Sequence, residues 1–232
     1  MPLQRQLFEL AGADANLRFS PYCWRIRLAL AHKGLSVETR PWRFSDKEAI
    51  AASGQGKVPV LVEGDRWLSD SWAIAEYLEQ QYPDQPSLFG SPEGHALARF
   101  VNQWTNDVLH PAIARVILPE IYAVLDEGDQ AYFRTTREAA FGVSLEQLTE
   151  QREAALEGFY KTLKPLQNTL AAQPYLAGDA PNFADYIVFG AFQWARVISG
   201  TISIPSTEPV GQWIERMLDV QGGVTRKAPK AY

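Results

Sequence analysis

Cysteine is nearly absent from this chain, Cys23 being the single one among 232 residues. An intramolecular disulfide and a cysteine-cluster metal site are thereby excluded. Histidine is scarce as well: His32, His95 and His110 stand far apart with no ligand spacing, so no metal is expected. Positive charge is not in excess. Twenty-two Lys and Arg against 27 Asp and Glu leave a net charge of −5, which argues against nucleic acid or an anionic membrane surface as partner. No uninterrupted apolar run reaches the ~18 residues of a membrane span, and Met1 to Gln6 lack the apolar core of a signal peptide. A cytoplasmic protein without a membrane partner is expected. Internal repeats and low-complexity tracts are missing too. What is present is a 46% hydrophobic composition, sufficient for a sizeable core in one or two compact domains.

Two regimes divide the chain. Up to about Tyr82 the pattern alternates: a strand at Leu7–Leu10, a helix over 21–33, a strand over Val37–Trp42 and a short helix over 45–52. Val58–Val62 and Arg66–Leu68 then read as a strand pair around Glu63-Gly64-Asp65, followed by a helix from Ser71 to about Gln81. This βαβ then ββα order predicts a four-stranded mixed sheet with helices packed on it, a small α/β domain. Tyr82-Pro83-Asp84-Gln85-Pro86 breaks the last helix and opens a linker to about Pro92. Beyond it helical periodicity dominates. A long helix is expected from Glu93 to about Leu125, kinked or divided by Pro111 and Pro119. Residues 126–143 look irregular or partly helical, Leu145 to about Ala172 reads as one helix containing Pro165, and the tail from Gln221 is expected to be mobile. Asn182, answered by Asp185, predicts a capping box that starts a buried helix running to Ile198.

Three short elements carry the chemistry. Ser20 is a good N-cap, Pro21 sits at the helix position that tolerates proline best, and Gly34 supplies the stop. An N-capping serine alone usually does no more than satisfy a backbone donor. The strand-like Lys57-Val58-Pro59-Val60-Leu61-Val62 and the helix start Asp70-Ser71 change that, because the three together can converge on one small anionic peptide. A serine-nucleophile hydrolase fails on geometry. His32 lies 12 residues along the same helix, about 18 Å away at ~1.5 Å per residue, and no Gly-x-Ser-x-Gly elbow surrounds Ser20. His95 and His110 fall in the helical scaffold, where a satisfied surface or core histidine is the ordinary occupant. Cys23 reads as a small buried hydrophobe, and Trp24 and Trp72 as core residues on apolar helix faces.

The stretches Ser20-Pro21-Tyr22-Cys23-Trp24-Arg25, Val58-Pro59-Val60-Leu61, Asp70-Ser71-Trp72-Ala73-Ile74-Ala75-Glu76-Tyr77-Leu78, Leu176-Ala177-Gly178-Asp179 and Asn182-Phe183-Ala184-Asp185 resemble the cytosolic glutathione S-transferases, over nearly the whole chain. Ser20-Pro21-Tyr22 before Trp24-Arg25, His32-Lys33-Gly34 and Pro181 to Tyr186 are similar to the serine-type branch of bacterial β-aryl etherases and related fungal transferases. The Trp-Arg-x-Arg-x-Ala-Leu pattern is shared with zeta-class isomerases. The resemblance implies a thioredoxin-like N-terminal domain over 1–83 that binds glutathione, and an all-α domain over 93–232 that lines the acceptor pocket. It implies glutathione as cosubstrate, a hydrophobic aryl electrophile as second substrate with β-aryl ether cleavage as one form of the reaction, and a symmetric homodimer with Trp67, Tyr77 and Phe89 near its seam. A zeta-like glutathione-dependent cis-trans isomerase and a non-catalytic glutathione- or ligand-binding member are the alternatives.

The same resemblance assigns roles. Ser20 is expected to stabilise the glutathione thiolate as a hydrogen-bond donor. Pro59 is expected in a cis peptide bond that turns the Val58 backbone toward the cysteinyl backbone of glutathione, as an added strand would lie. Ser71 at a helix N-terminus suits the γ-glutamyl carboxylate, Asp70 its ammonium, directly or through the neighbouring subunit, and Lys57 the glycyl carboxylate. Phe19, Tyr22, Trp42, Trp104 and Asp107 are expected around the acceptor.

Overall fold

The computed structural model describes residues 4–232; Met1, Pro2 and Leu3, which belong to the expected N-terminal domain and to the segment read for a signal peptide, lie outside the described residues. The N-terminal half is a four-stranded mixed sheet in the order β2-β1-β3-β4. β1 (Arg5–Leu10) runs parallel to β2 (Glu38–Trp42) and antiparallel to β3 (Val60–Glu63), and β3 pairs antiparallel with β4 (Arg66–Ser69). The parallel pair requires a crossover, which α1 (Pro21–His32) supplies. α2 (Ser71–Gln81) follows β4, and the short helix expected over 45–52 is a 3₁₀ turn at Glu48–Ser53. This is a thioredoxin-like domain followed by an all-α domain.

The helical half departs from the sequence expectation in four places, the last of them the tail. The long helix is α3 (Pro92–Trp104), a π turn over Thr105–Leu109 and α4 (His110–Val124), so the division falls ahead of Pro111 while Pro119 stays inside α4. Residues 126–143 are not irregular: α5 (Glu127–Phe141) is a full helix, started by Asp126, whose side chain accepts the Gly128 N–H, and ended by Gly142 at φ 69°. Its two buried residues are Asp129 and Phe133, so its hydrophobic stripe is sparse, and the helical period is faint in the sequence. The expected helix over 145–172 is three: α6 (Leu145–Glu150), α7 (Arg152–Thr162) and α8 (Lys164–Ala172), with Pro165 in the first turn of α8, where its missing N–H is harmless.

α9 (Phe183–Ile198) is the axis of the molecule. Its capping box forms as the sequence predicts: Asn182 Oδ1 accepts the Ala184 N–H and Asp185 accepts the Asn182 N–H. The Asp185 carboxylate also accepts the Leu176 N–H and the Trp213 indole N–H, each at 2.9 Å, which ties α9 to the preceding loop and to α10 (Pro209–Gly223). Nearly all of α9 is buried, and it packs against α1 closely enough that a Cβ on Gly190 would lie 2.5 Å from the Pro21 carbonyl oxygen. The tail is docked rather than mobile. The Thr225 carbonyl accepts from Gln193 at 2.9 Å, the Ala231 N–H donates to Val197 at 2.8 Å, and Arg226 pairs with Glu215 and Asp219. Backbone bonds to a buried helix are invisible to composition, which registered only the glycines and charges of that segment. Among the described residues no helix is long and apolar enough to cross a membrane.

Candidate active site

Ser20 caps α1 with extended backbone angles, φ −61° and ψ 125°, and its Oγ accepts the Cys23 N–H at 3.3 Å. A hydroxyl that accepts in this way keeps its own O–H for donation. The Ser20 carbonyl takes the Trp24 N–H, Pro21 has no N–H, and the Tyr22 N–H has no partner among the described residues. One O–H and one backbone N–H are therefore left at the positive end of the α1 dipole. Ser20 itself is 4% exposed, so these donors act where water is largely excluded. Cys23, one turn along, is buried against the Phe8 carbonyl, and burial pushes its thiol up to about 12. It is a packing residue without a thiolate, as its helix position suggested.

The Val58–Pro59 peptide bond is cis. Val58 borders β3, and its backbone makes no hydrogen bond to another described residue, leaving one edge free. Asp70 adopts φ 70° and ψ 125°, a region non-glycine residues avoid at a cost of ~1–3 kcal/mol, and this marks the start of α2 as a place where geometry is over-determined by its surroundings. The Asp70 carboxylate accepts the Trp72 and Ala73 N–H groups at 2.9 and 3.0 Å. The buried Ser71 retains an unbonded N–H and hydroxyl at the helix end. Lys57 is exposed at the same side as Val58, and both border the cavity described next; Asp70 and Ser71 do not line it.

A cavity of about 400 Å³ opens between the two halves, within the range of small-ligand sites. Ser20, Lys57, Val58, Phe19, Tyr22 and Trp42 all border it, so the thiol-activating end of α1 and the expected aromatic wall share one space. Asp129, buried at the start of α5, accepts the Phe44 and Ser45 N–H groups at 3.0 and 2.8 Å. That link pulls the loop after β2 onto α5 and closes the wall with Phe44 and Phe133.

Trp104 and Asp107 are not in the wall. An unbroken helix with Pro111, Ala114 and Leu118 on the cavity face would place both there, at α-helical spacing. The π turn inserts one extra residue, rotates that face and brings in Asn106 and His110 instead. His110 is accordingly more than scaffold: its Nδ1 lies 3.3 Å from the Tyr22 hydroxyl, its ring meets Trp194 edge-on, and burial, helped by the nearby Arg25, holds its pKa well below 6.5. It is a neutral imidazole. Burial likewise raises the Tyr22 phenol, so Tyr22 is a neutral donor rather than a phenolate. The sequence reading also missed Phe44, Phe133, Arg137 and Trp194, for which local pattern held no signal, since their approach depends on how α5 and α9 pack.

The rivals fall away in the structure. His32 donates from Nε2 to the Ser87 carbonyl and accepts the Tyr186 hydroxyl at Nδ1, far from any role as a base for Ser20. His95 bonds Glu76 at 3.2 Å on the surface. Among the described residues no cluster of three His, Cys, Asp or Glu side chains is arranged for a metal ion.

Comparison with known proteins gives a consistent result. Residues 15–86 match the model of the glutathione S-transferase N-terminal domain, and residues 96–217 that of the glutathione S-transferase C-terminal domain. A glutathione S-transferase of Ceriporiopsis subvermispora, crystallised with glutathione, superposes with a TM-score of 0.77 at 26% identity, covering 97% of this chain and 94% of that one. A glutathione transferase from Phanerochaete chrysosporium gives the same score and identity over 95% and 92%. Glutathione transferase omega-1 of Caenorhabditis elegans is 25% identical over 226 residues, 91% of this chain and 79% of its own length.

Proposed function

The chain belongs to the glutathione S-transferase family, and from that premise we propose that it is a serine-type transferase activating the glutathione thiol for attack on a hydrophobic aryl electrophile. One observation carries the reading: the free O–H of Ser20 and the free N–H of Tyr22 stand at the N-terminus of α1 and at the edge of an apolar cavity. A free cysteinyl thiol titrates near 8.5, so only a few per cent is thiolate at neutral pH. A sulfur at this helix end gains a charge-assisted hydrogen bond and the helix dipole, together sufficient to lower its pKa by about one to two units. Ser20 stays a donor throughout and forms no covalent bond.

The rest of the tripeptide follows from the neighbouring elements. The unpaired Val58 backbone accepts the cysteinyl backbone, the Ser71 N–H and hydroxyl take the γ-glutamyl carboxylate, Asp70 the ammonium and Lys57 the glycyl carboxylate. Residues 1–83 then form the glutathione domain and 93–232 the acceptor domain. In the reaction the thiolate pair forms a C–S bond at the electrophilic carbon while the leaving group departs with its bonding pair; the thiol proton has already passed to solvent. A phenolate leaving group makes the reaction an aryl ether cleavage. Such an enzyme works in the cytoplasm, where glutathione is reduced, and as a homodimer whose contact includes the exposed Leu97, Phe100 and Val108.

Turnover of a panel of β-aryl ethers, chloronitroaromatics, peroxides and maleylacetone tests the reading. Saturable conjugation or ether cleavage with loss of glutathione is expected. Isomerisation of maleylacetone without glutathione consumption, or tight glutathione binding with no turnover of any acceptor, would overturn it.

A further inference from the structure

The cavity is cationic in an anionic protein. Of its lining side chains only Lys57 and Arg137 carry charge, no Asp or Glu lines it among the described residues, and His110 is held neutral. Lys57 belongs to glutathione in the reading above, which leaves Arg137 unaccounted for.

Arg137 lies on α5 with its guanidinium over Phe133 at 5.1 Å from the ring centroid and over Phe44 at 5.7 Å. Its protein hydrogen bond goes to the Thr136 hydroxyl at 3.1 Å, and no carboxylate is within ion-pair distance among the described residues. Arg134, one turn earlier on the same helix, shows the contrast by pairing with both Glu138 and Glu146. Burial pulls the Arg137 pKa down, yet a guanidinium remains protonated at neutral pH. A charge half-withdrawn from water, held against two aromatic rings and left without an anion, lacks a partner that the cavity has room to bring. The planar fork matches a carboxylate through two parallel N–H donors, and the flanking rings suit an arene attached to it.

We infer that the acceptor substrate is an aryl electrophile bearing a carboxylate, with its ring among Phe44, Phe133 and Trp194 and its carboxylate on the Arg137 guanidinium. The inference rests on the transferase reading for the chemistry and on the cavity alone for the binding. With 4-chloro-3-nitrobenzoate the glutathione sulfur forms a bond to the chlorinated ring carbon and chloride leaves with the C–Cl pair.

The test compares 4-chloro-3-nitrobenzoate with its neutral isostere 4-chloro-3-nitrobenzamide, each rate divided by the uncatalysed rate with glutathione. Arg137→Gln should lower the benzoate-to-benzamide ratio of kcat/KM at least tenfold, through KM for the benzoate. Arg137→Lys, which keeps the charge but not the fork, should recover only part of it, and Arg134→Gln should leave the ratio unchanged. Equilibrium binding of the benzoate, read by quenching of Trp42 and Trp194 in the cavity wall without glutathione, separates the two ideas. Benzoate binding that weakens tenfold in Arg137→Gln, with no turnover of any acceptor, sustains the anion site and defeats the transferase reading. Turnover of neutral acceptors with benzoate binding indifferent to residue 137 overturns the anion site, as does an absence of benzoate binding.

Discussion

Ser20 and Cys23 sit three residues apart on one helix and have opposite fates, because one faces the cavity end and the other the sheet. Ser20→Ala removes an O–H but leaves the Tyr22 N–H and the helix dipole, so the pKa of bound glutathione should rise by about one unit, worth ~1.4 kcal/mol, while affinity for the tripeptide falls only slightly. Thiolate absorbance against pH reads this directly; an unchanged titration would assign the work to the backbone donor. Cys23→Ala should keep activity within a few-fold, since a thiol pushed up to about 12 by burial has no thiolate to contribute. In the folded wild type the same thiol should resist labelling by a disulfide reagent that modifies it at once in denaturant. A rapidly labelled native Cys23, with activity lost on labelling, would restore a thiol-exchange mechanism.

At the scale of elements, α9 sets where the end of α1 lies. Gly190 admits the Pro21 carbonyl at a distance that a Cβ would reduce to 2.5 Å, and the obstacle is backbone, which cannot rotate away. Gly190→Ala should thus push α1 off α9, lower stability by ~2 kcal/mol, in the range of overpacked cores, and weaken thiolate stabilisation although no site residue has changed. Urea unfolding together with the thiolate titration checks both effects; loss of stability with an unaltered thiol pKa would show that the helix end is positioned by the sheet instead. The π turn acts in the same way on α3 and α4, exchanging Trp104 and Asp107 for Asn106 and His110 in the wall.

The molecule answers to pH in part through two imidazoles, His110 buried and His32 half-buried, while the buried Asp185 carboxyl, pushed up to about 6, works in the opposite sense. His110 and His32 are both depressed, chiefly by burial, so the native state binds fewer protons there than the unfolded chain. Their contribution to stability is complete above the unfolded value of ~6.5 and is lost as pH falls below it toward the folded values. His110→Gln removes one such group, and its unfolding free energy should decline less steeply than that of the wild type between pH 7 and 5, by at most ~1.4 kcal/mol per unit. Parallel declines would show that His110 is protonated in the fold. Assembly is a separate matter. Phe89, expected at the dimer seam, is 5% exposed and packs at a tilt against Trp72 and edge-on against Phe183 within its own chain, whereas Phe100 on α3 is 69% exposed. A charge at that position should disrupt a stable interface, so Phe100→Asp is expected to halve the mass measured by light scattering; a wild-type chain that is already monomeric would remove the dimer from the reading.

Local chemistry determined much of this protein by itself. The caps at Ser20, Asp70 and Asn182, the proline at the head of α1 and the alternation in β1 and β3 act within a turn or a strand, so the sequence of neighbours suffices to read them. The sheet and its helices followed from order and length. What only the tertiary structure decided are the features built from residues far apart: α5, whose stripe is too sparse to be seen without the loop that Asp129 binds, the tail fastened to α9, and the cavity wall of Arg137, Phe133 and Trp194. A single residue inserted at the π turn turned a helix face by an angle that no periodicity announces. Packing free energy selects among such arrangements through contacts across the chain, whereas a cap needs only the next few backbone amides.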